Sequence, residues 1–204
     1  MRDKIIKNHF NDIAYIISKY DYYLECKVDK VLRGHTNNIT CVNVLLNGQI
    51  VSGSNDNTLI IWNPNNAEID KVCKGHTKSV TCTIVLPSKD CGHIVSGSND
   101  STLIIWNHDG QIDTVLKGHT NNVTCIGILP NGQIVSGSND KTCIIWNRDG
   151  EIDKVLEGHT DWITCLEVLS SKDGGQIVSA SWDNTCIIWK FNGEIDTVCK
   201  GHTD

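Results

Sequence analysis

The sequence lacks an excess of positive charge, a long apolar run and a closely spaced cysteine pair. Its 204 residues carry a formal net charge of −6, so the basic surface on which nucleic-acid binding depends is missing. No apolar run approaches the roughly 20 residues of a membrane-spanning helix. The 10 cysteines include no C-x-x-C pair, and no glycine-rich phosphate loop occurs. We therefore expect no cofactor, and neither nucleic acid nor a membrane among the partners.

The sequence contains an internal repeat. A Gly-His dipeptide recurs every 40 to 43 residues, at Gly34, Gly75, Gly118, Gly158 and Gly201. A second motif keeps the same spacing and reads IVSGSNDNTLIIWN from Ile50 in the first copy and IVSASWDNTCIIWK from Ile177 in the fourth. The units span 34–74, 75–117, 118–157 and 158–200, and a fifth begins at 201. A period of this length indicates a fold built from stacked copies of one unit.

Each unit contains four short β-type runs and no helical pattern. In the first unit the runs are 39–45, 49–54, 58–62 and 69–73, and turn-forming residues such as Asn47-Gly48 separate them. Four such runs form one antiparallel sheet that is apolar on both faces, and only stacking against other copies can cover those faces. The sequence therefore predicts an all-β fold of four four-stranded sheets.

Over residues 24–204 the units resemble the WD-repeat family of β-propellers, because the Gly-His dipeptide, a Ser-x-Ser-x-Asp turn and a strand-ending tryptophan recur together. The Trp-Asp dipeptide of that family reads Trp-Asn at Trp62, Trp106 and Trp146 and Trp-Lys at Trp189. The resemblance implies four propeller blades and a non-enzymatic role as a scaffold or adaptor that binds other proteins. A structural or truncated propeller without a partner is an alternative.

Each unit also carries a serine, a histidine and an aspartate, the residue types of a hydrolase triad. With the tryptophan they form four sets: His35, Ser52, Asp56 and Trp62; His76, Ser96, Asp100 and Trp106; His119, Ser136, Asp140 and Trp146; His159, Ser179, Asp183 and Trp189. A propeller hydrolase is therefore a further alternative, but an enzyme needs one nucleophile rather than four. The resemblance implies that each set is a buried hydrogen-bond network inside its blade.

The cysteines and histidines do not predict a metal site. Each unit supplies one aligned histidine without a second ligand nearby. Most cysteines replace leucine or share one column of the repeat, as Cys143 and Cys186 do with Leu59 and Leu103, so they are expected to be buried free thiols. Free thiols are typical of an intracellular, cytoplasmic protein; scattered disulfides are the alternative.

Two tryptophans distinguish the fourth unit. Trp162 stands where the other units have Asn38, Ser79 and Asn122, and Trp182 stands where they have Asn55, Asn99 and Asn139. The resemblance places both columns, together with Thr40, Thr81, Thr124 and Thr164, on the rim that commonly binds partners. Neighbouring exposed aromatics are typical of an interaction hot spot. The alternative is that the two rings simply pack on each other or on a neighbouring blade.

The N-terminal region gives two more predictions. Residues 1–23 form an amphipathic helix and linker, with the apolar stripe Ile6, Phe10, Ile13, Ile17 and Tyr20. This helix would cover an exposed blade face or bind another protein. Residues 27–33 match the last strand of a unit and predict a surplus strand, although the fourth unit has its own at 195–199. The blades are therefore expected to form part of a longer propeller, or a half-ring completed by self-association.

Overall fold

The computed structural model describes residues 30–87, 92–147, 149–169 and 175–201. The chain divides into two compact units, Met1–Val31 and Leu32–Asp204, and the strands described below lie in the second. The predicted helix of residues 1–23 lies outside the described residues. Among the residues that are described, no helix is long and apolar enough to cross a membrane.

The predicted all-β fold is confirmed: in the described part of the chain, sixteen strands form four antiparallel sheets of four strands each. Blade 1 consists of β1 (Ile39–Val44), β2 (Ile50–Ser54), β3 (Thr58–Asn63) and β4 (Glu68–Lys74). Blade 2 consists of β5 (Val80–Leu86), β6 (His93–Ser98), β7 (Thr102–Trp106) and β8 (Ile112–Lys117). Blade 3 consists of β9 (Val123–Ile128), β10 (Ile134–Ser138), β11 (Thr142–Trp146) and β12 (Ile152–Glu157). Blade 4 consists of β13 (Ile163–Leu169), β14 (Gln176–Ser181), β15 (Thr185–Lys190) and β16 (Ile195–Lys200).

Tight turns join neighbouring strands of blade 1, as the turn residues of the sequence predict. In blade 1, Gly48 adopts a φ of 85° between β1 and β2, and Asn57 adopts a φ of 70° between β2 and β3. Glycine and asparagine tolerate this left-handed conformation better than other residues. The strands are therefore paired with their sequence neighbours, in the order β1-β2-β3-β4 in blade 1 and in the equivalent order in the others.

Blades pack on one another in chain order through their first strands. Val80, the first residue of β5, is fully buried and lies so close to blade 1 that a Cβ added at Gly53 would be 2.6 Å from its Cγ1 atom. The Thr40 hydroxyl of blade 1 donates a hydrogen bond of 2.6 Å to the Val80 carbonyl. Equivalent contacts join blade 2 to blade 3 and blade 3 to blade 4.

The surplus strand predicted over residues 27–33 was wrong for its described part, because residues 30–33 are not in a strand. An outer strand forms only when the third strand of a blade offers unpaired backbone groups. In all four blades those groups are already paired with the blade's own fourth strand. Residues 27–29 lie outside the described residues.

Candidate protein-interaction surface

Each blade has a histidine, serine, aspartate and tryptophan within hydrogen-bond distance of one another. In blade 3, Nδ1 of His119 is 2.8 Å from Oδ2 of Asp140, and Nε2 of the same ring is 2.8 Å from Oγ of Ser136. The indole N–H of Trp146 donates to Ser136 Oγ over 2.8 Å. The other three sets have the same contacts at 2.8 to 2.9 Å. We call each set a tetrad.

One assignment of protons satisfies every polar atom of a tetrad. The tryptophan N–H donates to the serine oxygen, the serine hydroxyl donates to Nε2 of the histidine, and the Nδ1–H of the histidine donates to the aspartate. The four serines are at most 3% exposed and the four tryptophans at most 1%. Because each serine hydroxyl is buried and its oxygen accepts the tryptophan N–H, the oxygen is not open to a substrate, even though the serine–imidazole bond resembles that of a triad. The tetrads therefore act as internal hydrogen-bond networks.

The tetrad aspartates are held ionised by hydrogen bonds to both carboxylate oxygens. Oδ2 of Asp100 accepts from the His76 ring and the Thr77 N–H, each at 2.9 Å, and Oδ1 accepts from the Thr102 hydroxyl at 2.6 Å. Burial raises the pKa of Asp100, but the bonds from Thr102, Thr77 and His76 outweigh burial and lower this pKa to about 2. Similar bonds lower the pKa of Asp183 to about 2 and also lower the pKa values of Asp56 and Asp140.

The eight described cysteines are free thiols, whereas Cys26 and Cys91 lie outside the described residues. Burial raises the pKa of Cys82 and of Cys125 to about 12, so both carry protons at neutral pH. Two thiols differ from the expectation of burial, because Cys165 and Cys199 of blade 4 are exposed. In the part of the chain that is described, no group of three or more histidine, cysteine or acidic side chains could hold a metal ion.

The two loop columns singled out by the sequence face each other at one end of each blade. In blade 1 the Asn55 N–H donates to the Asn38 carbonyl over 2.9 Å, and in blade 3 the Asn139 N–H donates to the Asn122 carbonyl over the same distance. In blade 2 the donor is Asn99 and the acceptor is Ser79. We call this end of the blades the rim. Its asparagines are exposed or half-buried.

In blade 4 both columns hold tryptophan, and the same backbone bond links them, from the Trp182 N–H to the Trp162 carbonyl at 2.9 Å. Residues opposite each other across a hairpin are close enough for their side chains to touch. The two indole rings lie 4.7 Å apart with an angle of 31° between their planes. They nevertheless stay open to solvent, with Trp162 38% exposed and Trp182 61% exposed. The structure thus combines the two alternatives, mutual packing and exposure.

Three of the four rim threonines have a structural part in the contacts between blades. Thr40, Thr81 and Thr124 donate to a carbonyl of the next blade and so join neighbouring blades. Thr164 is exposed, and its hydroxyl reaches only the Ala180 carbonyl of its own blade, at 3.4 Å. Sequence reasoning found these threonines by their column, but the carbonyls through which Thr40, Thr81 and Thr124 join the blades belong to residues 39 to 42 positions later.

Asp161 is a rim residue that the sequence reasoning missed. It stands where the other units have Asn37, Lys78 and Asn121, so a column comparison could have found it. One of its carboxylate oxygens, Oδ1, accepts the Trp162 N–H over 2.8 Å. The residue is half-buried beside the tryptophan pair. Blade 4 therefore places a carboxylate and two indole rings together, where the other blades have amides, a serine or a lysine.

Comparison with known proteins agrees with this architecture. The family model for the WD domain, G-beta repeat, matches residues 26–63, 68–107, 110–147 and 150–190. No curated protein sequence matches the chain. Among solved structures, that of U3-55K is similar, with a TM-score of 0.75 and 27% sequence identity over 85% of this chain. The match covers 55% of the U3-55K chain, so this chain spans about half of that relative's length. This chain belongs to the family of WD-repeat proteins, whose β-propeller blades generally serve as protein-interaction scaffolds.

Proposed function

We propose that this chain is a non-enzymatic scaffold or adaptor that binds other proteins through the rim of blade 4. The observation that carries the proposal is the exposed pair of Trp162 and Trp182, whose tilted rings pack against each other. Tryptophan is among the residues most enriched at binding hot spots, because it buries a large apolar area and loses little conformational freedom. Cytoplasmic location is supported by the free thiols.

A partner with a basic contact surface suits this rim best. The carboxylate of Asp161 lies next to the tryptophan pair, and the whole chain has a net charge of −6. A lysine or arginine side chain gains from a nearby carboxylate and from the face of an indole ring. An acidic protein also attracts basic partners over distances of about a Debye length. Nucleic acid, being itself acidic, does not fit this surface.

Restoring the asparagines of the other blades should abolish partner binding without unfolding the protein. In the double variant Trp162→Asn/Trp182→Asn, blade 4 acquires the residues present at Asn38 and Asn55 in blade 1. Loss of two hot-spot tryptophans is expected to weaken binding by about 100-fold or more. The measurement is an affinity pull-down from cell extract with mass spectrometry, followed by titration of the enriched partner in purified form.

The matched control is Asn38→Ala/Asn55→Ala, which alters the same two columns in blade 1 and should leave binding unchanged. Circular dichroism and the urea midpoint should be the same for both double variants and the wild type. If the purified partner binds the asparagine variant as tightly as the wild type, the rim of blade 4 is not the binding surface. If neither protein enriches any partner, the alternative of a propeller without a partner is favoured.

Neutralising Asp161 should weaken partner binding and reduce its dependence on salt. In Asp161→Asn the side chain can still accept the Trp162 N–H, so the loop is retained while the charge is lost. We expect about a tenfold loss of affinity at low salt and a smaller loss at high salt, because screening already weakens the ion pair there. Isothermal titration at two salt concentrations measures both effects. An unchanged affinity at low salt would remove the basic-partner proposal.

We also propose that the chain associates with itself to complete the ring of blades. Among the described residues, blades 1 and 4 each have a neighbouring blade on one side only. The apolar side chains of β1 on the uncovered face of blade 1 are exposed, and Ala180 and Cys186 on the uncovered face of blade 4 are half-buried. Such faces in water favour association.

A further inference from the structure

The uncovered face of blade 1 is an apolar stripe along β1 and the residues that follow. Ile39, Val42, Val44 and Leu46 are between 55% and 65% exposed. The residues equivalent to Ile39 in the other blades, Val80, Val123 and Ile163, are fully buried against the preceding blade. Among the described residues no blade precedes blade 1, and its stripe is exposed, whereas the same column is core wherever a blade precedes it.

The uncovered face of blade 4 corresponds to the surface of blades 1, 2 and 3 that contacts the first strand of the following blade. A cavity of about 460 Å³ lies there, lined by Asp161, Ala180, Ser181, Trp182, Asn184, Thr185 and Cys186. In the other blades the position of Cys186 holds Leu59, Leu103 and Cys143, which are fully buried. The Thr164 hydroxyl also lacks the bond to a following blade that Thr40, Thr81 and Thr124 make. This face thus has the same design as the faces of blades 1, 2 and 3 on which the following blade packs.

We infer that blade 4 binds blade 1 of a second copy of this chain. Ile39 of the second copy enters the cavity at Ala180, as Ile163 sits against Gly137 between blades 3 and 4. Its carbonyl accepts the hydrogen bond from Thr164. This pairing rests on the self-association proposed above. The occupant is a second copy of the chain, because blade 4 presents a surface that fits the first strand of a blade, and β1 is the one such strand in the described residues that no other blade covers.

The contact joins two different faces, so it must either close into a ring or continue as a filament. Two copies give eight blades, and propellers of four to eight blades occur. Two reciprocal contacts between blades 4 and 1 would cover both apolar faces of both copies. We therefore expect a closed pair with twice the 22.6 kDa mass of one chain.

One residue makes this contact looser than those within the chain. Blade 4 has Ala180 where the other blades have Gly53, Gly97 and Gly137. A Cβ at Gly137 would be 2.8 Å from Cγ2 of Ile163, which is closer than such atoms approach. Ile39 of the second copy must therefore sit farther from blade 4 than Ile163 sits from blade 3. The pairing should be reversible, and Ala180→Gly should strengthen it.

Sedimentation equilibrium over a range of concentrations tests the pairing. We expect the wild type to interconvert between a monomer of 22.6 kDa and a dimer of twice that mass. Ile39→Asp should weaken the pairing by about tenfold or more, because a carboxylate would be buried without a partner. Val72→Asp is the control, since Val72 is also exposed, at 45%, but lies on the outer strand β4. If Ile39→Asp fails to fold by circular dichroism, Val42→Asp replaces it.

Ala180→Gly separates this contact from nonspecific association of apolar faces. Removal of one methyl group should tighten the pairing by about tenfold, because it lets Ile39 of the second copy approach blade 4 as closely as Ile163 approaches blade 3. A nonspecific contact has no reason to respond in that direction. A wild type that stays at 22.6 kDa, an Ala180→Gly variant that pairs no more tightly, or growth into larger assemblies would each overturn the inference.

A disulfide can identify the paired faces. Thr83 of blade 2 is the residue equivalent to Val42, and it lies beside the Cys41 thiol of blade 1. The Val42→Cys thiol should therefore lie beside Cys165 of the second copy and join it under mild oxidation by dissolved oxygen. A disulfide between two introduced thiols would indicate two blade-1 faces packed together and would contradict the inference.

The pairing and the proposed function can be tested separately. Ile39→Asp retains the tryptophan pair, so this variant should lose the pairing between copies while it still binds the partner protein.

Discussion

Replacing Trp146 with alanine should destabilise the protein by about 3 to 5 kcal/mol, the usual cost of removing a large aromatic side chain from a core. Trp146 is fully buried between blades, and its indole N–H is a donor to Ser136. The substitution leaves a cavity and also deprives a buried hydroxyl of one of its partners. The measurement is the urea midpoint of unfolding, monitored by far-ultraviolet circular dichroism.

The control for Trp146→Ala is Trp182→Ala, which removes the same side chain from the rim. Because Trp182 is 61% exposed, its loss should cost about 1 kcal/mol or less, mainly the stacking with Trp162. Trp146→Phe separates the cost of the lost hydrogen bond from the cost of the cavity, since it removes the N–H donor while retaining most of the apolar volume. Equal costs for Trp146→Ala and Trp182→Ala would contradict the assignment of one tryptophan to the core and the other to the rim.

Acid should unfold the protein through the tetrads, with stability falling progressively as the pH drops below 6.5 and on through 3.8 to about 2. Hydrogen bonds lower the pKa of Asp100 and of Asp183 from 3.8 to about 2, so the folded state binds fewer protons than the unfolded state. The stability that these carboxylates contribute is fully present above pH 3.8 and is lost as the pH falls through about 2.

Histidine protonation acts in the same direction. Burial lowers the pKa of His76 below 6.5 in spite of the Asp100 carboxylate nearby, so protons favour the unfolded state as the pH falls below that value. Thermal melts between pH 7 and pH 2 should therefore show a falling midpoint throughout. Asp100→Asn should flatten the curve between pH 4 and pH 2, and the exposed loop variant Asp149→Asn should not. A midpoint independent of pH would exclude the tetrads as the acid-sensitive element.

Much of the fold could be predicted because one local pattern occurs four times. Alternating apolar residues, a turn at Asn47-Gly48 and the strand-ending Trp62 each indicate a strand or its boundary, and their repetition removes the ambiguity of a single short segment. The surplus strand over 27–33 was wrong for residues 30–33, although its residues resemble those of a true outer strand. Strand formation needs a partner with free backbone groups, and sequence similarity does not supply one.

The geometry of the candidate interaction surface was predictable only in part. Column comparison identified Trp162 and Trp182 as exceptions, but it left open whether the rings are core or surface, and it did not notice Asp161. The cysteines show the same limit: Cys143 and Cys186 occupy one column, yet Cys143 is fully buried and Cys186 is not. Alignment of the four units shows which residue occupies a position, whereas the exposure of its side chain depends on whether another blade follows.

The sequence by itself determined the repeat, the sixteen strands and the residues of the four tetrads, because each of these depends on contacts within one unit of about 40 residues. Only the tertiary structure decided that Thr40 bonds to the next blade, that Trp162 and Trp182 stack while exposed, and that β1 presents an apolar face. The physical reason is that burial is a property of a pair of neighbouring surfaces. Units with nearly the same sequence therefore differ in exposure according to what lies beside them.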